Sequence, residues 1–99
     1  MTIIITESAS DDIAEGYLFY ERQHSGLGSY FESSILTDIR SLTIYHGVHE
    51  VHFGKYFRKI TKHFPYAIYY RVADNTVRIH GVFDTRRDPA KFRDRLESS

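Results

Sequence analysis

The stretch Phe64-Pro-Tyr-Ala-Ile-Tyr-Tyr-Arg-Val72, Ala73-Asp-Asn-Thr76, Val77-Arg-Ile-His-Gly-Val-Phe83, Asp84-Thr-Arg-Arg-Asp-Pro89 decides the fold. Two runs rich in β-branched and aromatic residues flank a short polar turn, the pattern of an antiparallel hairpin. In the first run Tyr66, Ile68, Tyr70 and Val72 share one face, and Ala67, Tyr69 and Arg71 the other. In the second, Val77, Ile79, Gly81 and Phe83 alternate with Arg78, His80 and Val82. One face is therefore mostly apolar and suits a helical cover. The other carries Tyr69, Arg71, Arg78 and His80, a solvated or recognising surface. Arg71 and Arg78 are placed to oppose each other across the hairpin, where like charges are unfavourable unless an anion or acid intervenes. After the hairpin, Asp88 as N-cap and Pro89 at the first helical position start a final helix, anchored by Phe92 and Leu96.

Upstream, Thr2 to Thr6 reads as a first strand. Ser8-Ala-Ser-Asp11 fits a helix start, and Ile13, Tyr17 and Tyr20 form an apolar stripe that Leu18 and Phe19 widen. Ser25-Gly-Leu-Gly28 stops this helix and restarts the chain, with Gly26 suited to a left-handed turn. A second helix from about Ser29 to Tyr45 carries Phe31, Ile35, Ile39 and Leu42 on one stripe. The short link makes the two helices an antiparallel pair. Residues 46–52 read as a loop, and a strand from Phe57 to Thr61 leads into the hairpin. The expected order is β-α-α-β-β-β-α: an α+β fold, an antiparallel sheet with the N-terminal helical hairpin packed on one face, and a single domain over residues 1–99.

The chain has 99 residues, no cysteine and balanced formal charge. A disulfide framework and a thiolate metal site are excluded. The first residues turn acidic too soon for a signal peptide and no apolar run reaches membrane-spanning length, so a cytoplasmic protein with no membrane partner is expected. The charge is unevenly placed. Residues 1–50 hold eight acids and two bases, residues 51–99 eleven bases and five acids. A basic face contributed by the hairpin half follows. His46, His49 and His52 recur every three residues after the second helix, but this spacing, beside Gly47, does not preorganise a metal site. No metal and no cofactor are expected.

The order of elements, Phe64-Pro-Tyr66 at the strand start, Arg86-Arg-Asp-Pro89 after the hairpin and Gly26-Leu-Gly28 between the helices resemble the RelE/ParE superfamily of toxins from type II toxin–antitoxin systems. The resemblance covers nearly the whole chain. It implies a bacterial growth inhibitor of the plasmid-stabilisation type, neutralised by a cognate antitoxin. RelE-like members are ribonucleases that cut messenger RNA on the ribosome; ParE-like members act on DNA gyrase without hydrolytic chemistry. Cleavage of the RelE kind needs a base for the 2′-hydroxyl, cations at the scissile phosphate and an acid for the leaving oxygen. By the resemblance Arg58 and Lys62 are the cationic candidates on the strand before the hairpin, and Arg86 or Arg87 the late arginine. Ala67 stands where those members place an arginine, and Phe92 in the region of their terminal tyrosine. His63 or His80 is then the substitute for proton transfer. The pattern favours the ParE-like reading. Arg71, Arg78, Arg86 and Arg87 are its binding surface, with Arg58, Lys62, His80 and Arg87 the catalytic candidates of the alternative ribonuclease. A second alternative is a non-toxic module that only binds antitoxin.

Overall fold

The computed structural model describes residues 1–98. The elements are β1 (Thr2–Ile5), α1 (Glu7–Gln23), α2 (Leu27–Tyr45), β2 (Glu50–His52), β3 (Tyr56–Ile60), β4 (Tyr66–Ala73), β5 (Thr76–Asp84) and α3 (Pro89–Glu97). The sheet order is β1-β5-β4-β3-β2. Neighbours from β5 to β2 are antiparallel, and β1 lies parallel to β5 with Thr2 opposite Thr76 and Ile5 opposite Ile79. The α+β class, the helical hairpin on one face and the β4–β5 hairpin are as the sequence implied.

Four details differ from the reading of the sequence. The N-cap of α1 is Thr6, whose hydroxyl accepts from the Ala9 amide at 3.2 Å, ahead of the Ser8 pattern. Helix α2 begins at Leu27, earlier than Ser29. The 46–52 segment is not all loop: its last three residues pair with β3 as a short edge strand. Leu18 and Phe19 lie on the exposed side of α1, and the buried stripe is Ala9, Ile13, Gly16 and Tyr20.

A bulge in β5 has larger consequences. Ile68 opposes Val82 and Tyr69 opposes Gly81, but Tyr70 opposes Ile79, so His80 is the extra residue. The regular alternation read from the sequence is reset there. Val77, Ile79 and Val82 face the helical hairpin, while Phe83 turns to the other side. The sheet thus has two apolar layers. On one face Tyr66, Ile68, Tyr70 and those β5 residues pack against Ile13, Tyr20, Phe31, Ile35, Ile39 and Leu42. On the other, Tyr56, Ala67, Tyr69 and Phe83 are covered by Phe92 and Leu96 of α3. Tyr69, expected on an open surface, is buried.

The turn between β4 and β5 is a two-residue loop with Asp74 and Asn75 both at positive φ, 52° and 58°. Both side-chain types tolerate that conformation, and it matches the twist of the strands. Gly26 adopts the left-handed conformation (φ 89°) and caps α2 without a side chain. The missing cap comes from the neighbouring helix: the Glu21 carboxylate accepts from the amides of Gly26, at 3.1 Å, and Gly28, at 3.0 Å. This carboxylate at a helix N-terminus binds donors that have no intrahelical partner and so fixes the angle of the helical hairpin.

Gly16 explains itself through packing. A Cβ there would stand 2.5 Å from the Phe31 ring, which lies fully buried against α1. Gly16→Ala is therefore expected to destabilise the protein by about 1–3 kcal/mol through overpacking, against the gain of about 1 kcal/mol that alanine gives an unconstrained helix. Urea denaturation checks this; a raised midpoint contradicts the contact.

Candidate functional site

The basic residues of the second half divide into those neutralised within the fold and those left to the surface. Arg86 belongs to the first group. Its Nε and Nη2 donate to the two oxygens of Asp84 at 2.9 and 2.7 Å, and its own amide donates to Asp84 Oδ1 at 2.9 Å. The hydrogen bond from Arg86 holds the Asp84 carboxyl below the usual range, and Arg86 is held protonated in return. Two residues' separation and a fork geometry make this a local lock on the β5–α3 junction. Arg95 belongs with it. Its guanidinium donates to both oxygens of Asp12 at 2.9 and 2.7 Å and to the His80 carbonyl at 3.0 Å, and lies 4.8 Å over the Phe83 ring.

Arg71 and Arg78 belong to the second group. They are direct partners across β4 and β5, both exposed, and neither forms an ion pair among the described residues. With His80, Thr76, Ala73 and Asp74 they line an open groove of about 410 Å³ on the α3 side of the sheet. Lys55 adds to the positive field at His80. Burial first, then Arg71, Arg78 and Lys55, push the His80 ring below the usual histidine range, so it is neutral at pH 7.

The remaining candidates do not gather at this groove. Arg58 opposes Tyr69 across β3 and β4, and its charge partly offsets the upward push that burial gives the Tyr69 phenol. The Tyr56 ring, 5.4 Å from that of His80, anchors the same face through a hydroxyl that donates to the Leu96 carbonyl at 3.1 Å. Lys62 lies elsewhere: its amide donates to the buried Asp38 at 2.9 Å, and it lines a cavity against α2 with Tyr30, Ser34 and His63. Arg87 borders a small cleft with Glu15, Tyr66 and Asp84 at the far end of β5. Tyr66 is pushed up to about 12, chiefly by burial, and so keeps its proton. Ala67 is fully buried, and Phe92 is stacked on Phe83 with ring centres 4.5 Å apart. Neither position offers a group to solvent.

The three loop histidines take separate roles. His46 Nδ1 is 3.0 Å from the Leu42 carbonyl at the end of α2, and His52 stands 3.3 Å from Glu50. His49 Nδ1 meets the hydroxyl of the buried Tyr70. The Gly47 amide already donates to that hydroxyl oxygen at 3.0 Å, leaving the hydroxyl proton for the ring nitrogen. Among the described residues no group of three His, Cys, Asp or Glu side chains is disposed to hold a metal. No described helix is long and apolar enough to cross a membrane. The reading of the sequence missed the Asp12–Arg95 pair and the Tyr70–His49 contact. The pair spans 83 residues and leaves no local signal.

Both His49 and His80 are lowered from 6.5, His49 by burial and then Lys59. The unfolded chain therefore binds these protons more readily than the native one. Stability from these two groups is complete above pH 6.5 and is lost as pH falls below it toward the native values. Denaturation measured across that window is expected to show the decline, with a shallower slope in His49→Gln. A stability independent of pH there contradicts the assignment. The Asp84–Arg86 lock fails only in more acidic solution, because the Asp84 carboxyl is held below its usual range.

No family model matches this chain, and no curated protein matches it. Among solved structures, a chain of the "Chromosomal ParDE TA system from P. aeruginosa" superposes with a TM-score of 0.79 at 15% identity, over 85% of this chain and 95% of that one. The likeness extends over nearly all of both chains. This protein has the fold of that ParDE chain, a ParE-like α+β fold of helical hairpin, open five-stranded sheet and C-terminal helix.

Proposed function

We propose that this protein is the toxin of a type II toxin–antitoxin system, a bacterial growth inhibitor silenced by a cognate antitoxin, and that it acts in the ParE-like manner on DNA gyrase by binding rather than by hydrolysis. The fold shared with the ParDE structure supports the toxin reading. The closed state of the α3 face supports the choice of mechanism, and it is the observation that carries it. Ala67 and Phe92 occupy the positions that the RelE resemblance gives to an arginine and a proton-transferring tyrosine, and both are buried in an apolar layer. Lys62 and Arg87, which that mechanism would need near His80, line cavities that His80 does not border. A cleaving site needs its base, acid and cations within reach of one phosphate. A binding protein needs only a charged surface of fixed shape.

The antitoxin chemistry that fits is an acidic segment with apolar anchors, ordering as it binds over the helical hairpin and the basic sheet face. The exposed Leu18 and Phe19 of α1 offer apolar contact, and Arg71 and Arg78 offer charge. The toxin acts in the cytoplasm, where its target and its antitoxin meet it.

Induction of the protein alone is expected to arrest growth with a DNA-damage response, and the purified chain to inhibit gyrase supercoiling at micromolar concentration. Growth arrest with new codon-linked cuts in translated messages, lost on Arg87→Ala, overturns this in favour of a ribonuclease. Growth without arrest leaves only an antitoxin-binding module.

A further inference from the structure

We infer that the groove between Arg71 and Arg78 is a binding site for a phosphate group, with His80 and Thr76 on its walls. It goes beyond the toxin reading and does not depend on it, because the site is argued from the charge balance of the sheet alone.

The first observation is the pairing itself. Arg71 and Arg78 are direct neighbours across the β4–β5 ladder, the arrangement in which like charges repel most strongly on a sheet. The second is contrast. Arg86 and Arg95, in the same half of the chain, are each fork-bonded to a carboxylate, Asp84 and Asp12. Arg71 and Arg78 form no ion pair among the described residues. Asp74 also lines the groove, at the turn, but lies in no salt bridge with either arginine. Two arginines paired across the ladder and lining one groove, with no ion pair to an acid among the described residues, make a ready anion site, since each guanidinium presents a planar fork of donors.

The third observation is the shape of the donor set. Arg71 comes from β4; Arg78 and His80 come from β5, and His80 is the bulged residue. A bulge re-aims a side chain, and this one borders the groove with its ring neutral, able to donate one N–H. Donors approaching from two strands suit a tetrahedral oxyanion with several outward oxygens. A phosphate spreads more oxygens, at tetrahedral angles, over such donors than the two coplanar oxygens of a carboxylate can. The groove, at about 410 Å³, admits a phosphate with part of the nucleoside or chain that bears it. It is distinct from the Arg86–Arg87 corner, because β5 runs on past Arg78 to Asp84, on the order of 20 Å further.

Binding is tested on the full chain by thermal unfolding and by amide chemical shifts, at constant ionic strength set with chloride. The probes are inorganic phosphate, a nucleoside monophosphate and a short single-stranded oligonucleotide, with octaglutamate as the carboxylate competitor. All three phosphate probes, or the oligonucleotide most strongly, are expected to raise the melting temperature and to shift the amides of Arg71, Thr76 and Arg78. Inorganic phosphate alone acting would mark a small-ligand site, and a larger oligonucleotide effect a site for a nucleic-acid strand; both support the inference. Arg71→Gln with Arg78→Gln is expected to weaken binding about tenfold or more, which is a loss of about 1.4 kcal/mol or more, while Arg40→Gln, at an exposed position of α2, leaves it unchanged. Arg78→Gln alone is expected to raise the ligand-free melting temperature, since the repulsion across the ladder is relieved. The inference is overturned if the double variant binds phosphate as the wild type does, if no phosphate probe binds at millimolar concentration, or if octaglutamate binds the groove more tightly than the phosphates do.

Discussion

The carboxylate of Asp12 is the point on which three elements depend. It sits on α1, accepts from both terminal nitrogens of Arg95 on α3, and accepts from the Val82 amide of β5 at 3.0 Å. The last β1–β5 link is the Thr6 amide to the Ile79 carbonyl at 3.1 Å. Beyond it, β5 has no parallel partner, and its backbone turns to side chains: Val82 donates to Asp12, and the His80 carbonyl accepts from Arg95. A buried amide left unbonded costs about 1–3 kcal/mol, so the pair replaces a strand where the sheet has run out of one. Asp12 is nearly buried and Arg95 about a third exposed, which places the bond between the strongly screened and fully desolvated limits.

Consequences run outward from that clamp. The bulge at His80 is held open by the same two side chains, and the bulge is what turns Phe83 to the α3 side. There Phe83 stacks on Phe92, and Arg95 lies 4.8 Å from the centre of the Phe83 ring. Helix α3 is seated by this layer, by Arg95 and by the hydrogen bond from the Tyr56 hydroxyl to the Leu96 carbonyl, and its start is capped by Asp88, which accepts from the Ala90 amide at 3.0 Å. Closing this layer removes Ala67 and Phe92 from solvent. Phe53, at positive φ and stacked on Tyr69, extends the same layer toward β2.

The sequence made the helical hairpin and the β4–β5 hairpin legible because both follow a single period. Phe31, Ile35, Ile39 and Leu42 repeat with the helix and are all buried. Arg71 opposite Arg78 follows from a two-residue turn at Asp74-Asn75, and the register agrees. The bulge broke that simplicity: strict alternation puts Phe83 with Val77, whereas the structure puts Val82 there. An isolated Gly81 inside a strand pattern was the available signal. Strand β2 is three residues long, too short for its alternation to be distinguished from a loop. Glu21 capping α2 and Asp12 binding Arg95 are tertiary contacts between residues whose local settings announce nothing beyond a solvated helix face. Of the candidate site, Arg71, Arg78 and His80 were found together on one face. Arg86 was read from the sequence as part of the binding surface, and the structure gives its guanidinium to Asp84 two residues away.

The most direct measurement is a double-mutant cycle on Asp12→Ala and Arg95→Ala, read by equilibrium denaturation and by hydrogen exchange at the Phe92 amide. If the pair holds α3 and the β5 edge as one unit, each single change costs about 2 kcal/mol, and the two are coupled by about 1–3 kcal/mol. Loss of protection at Phe92 should accompany either change. Additive effects within about 0.5 kcal/mol, with α3 still protected in Asp12→Ala, would show that the helix is seated by its aromatic contacts alone and would contradict the account.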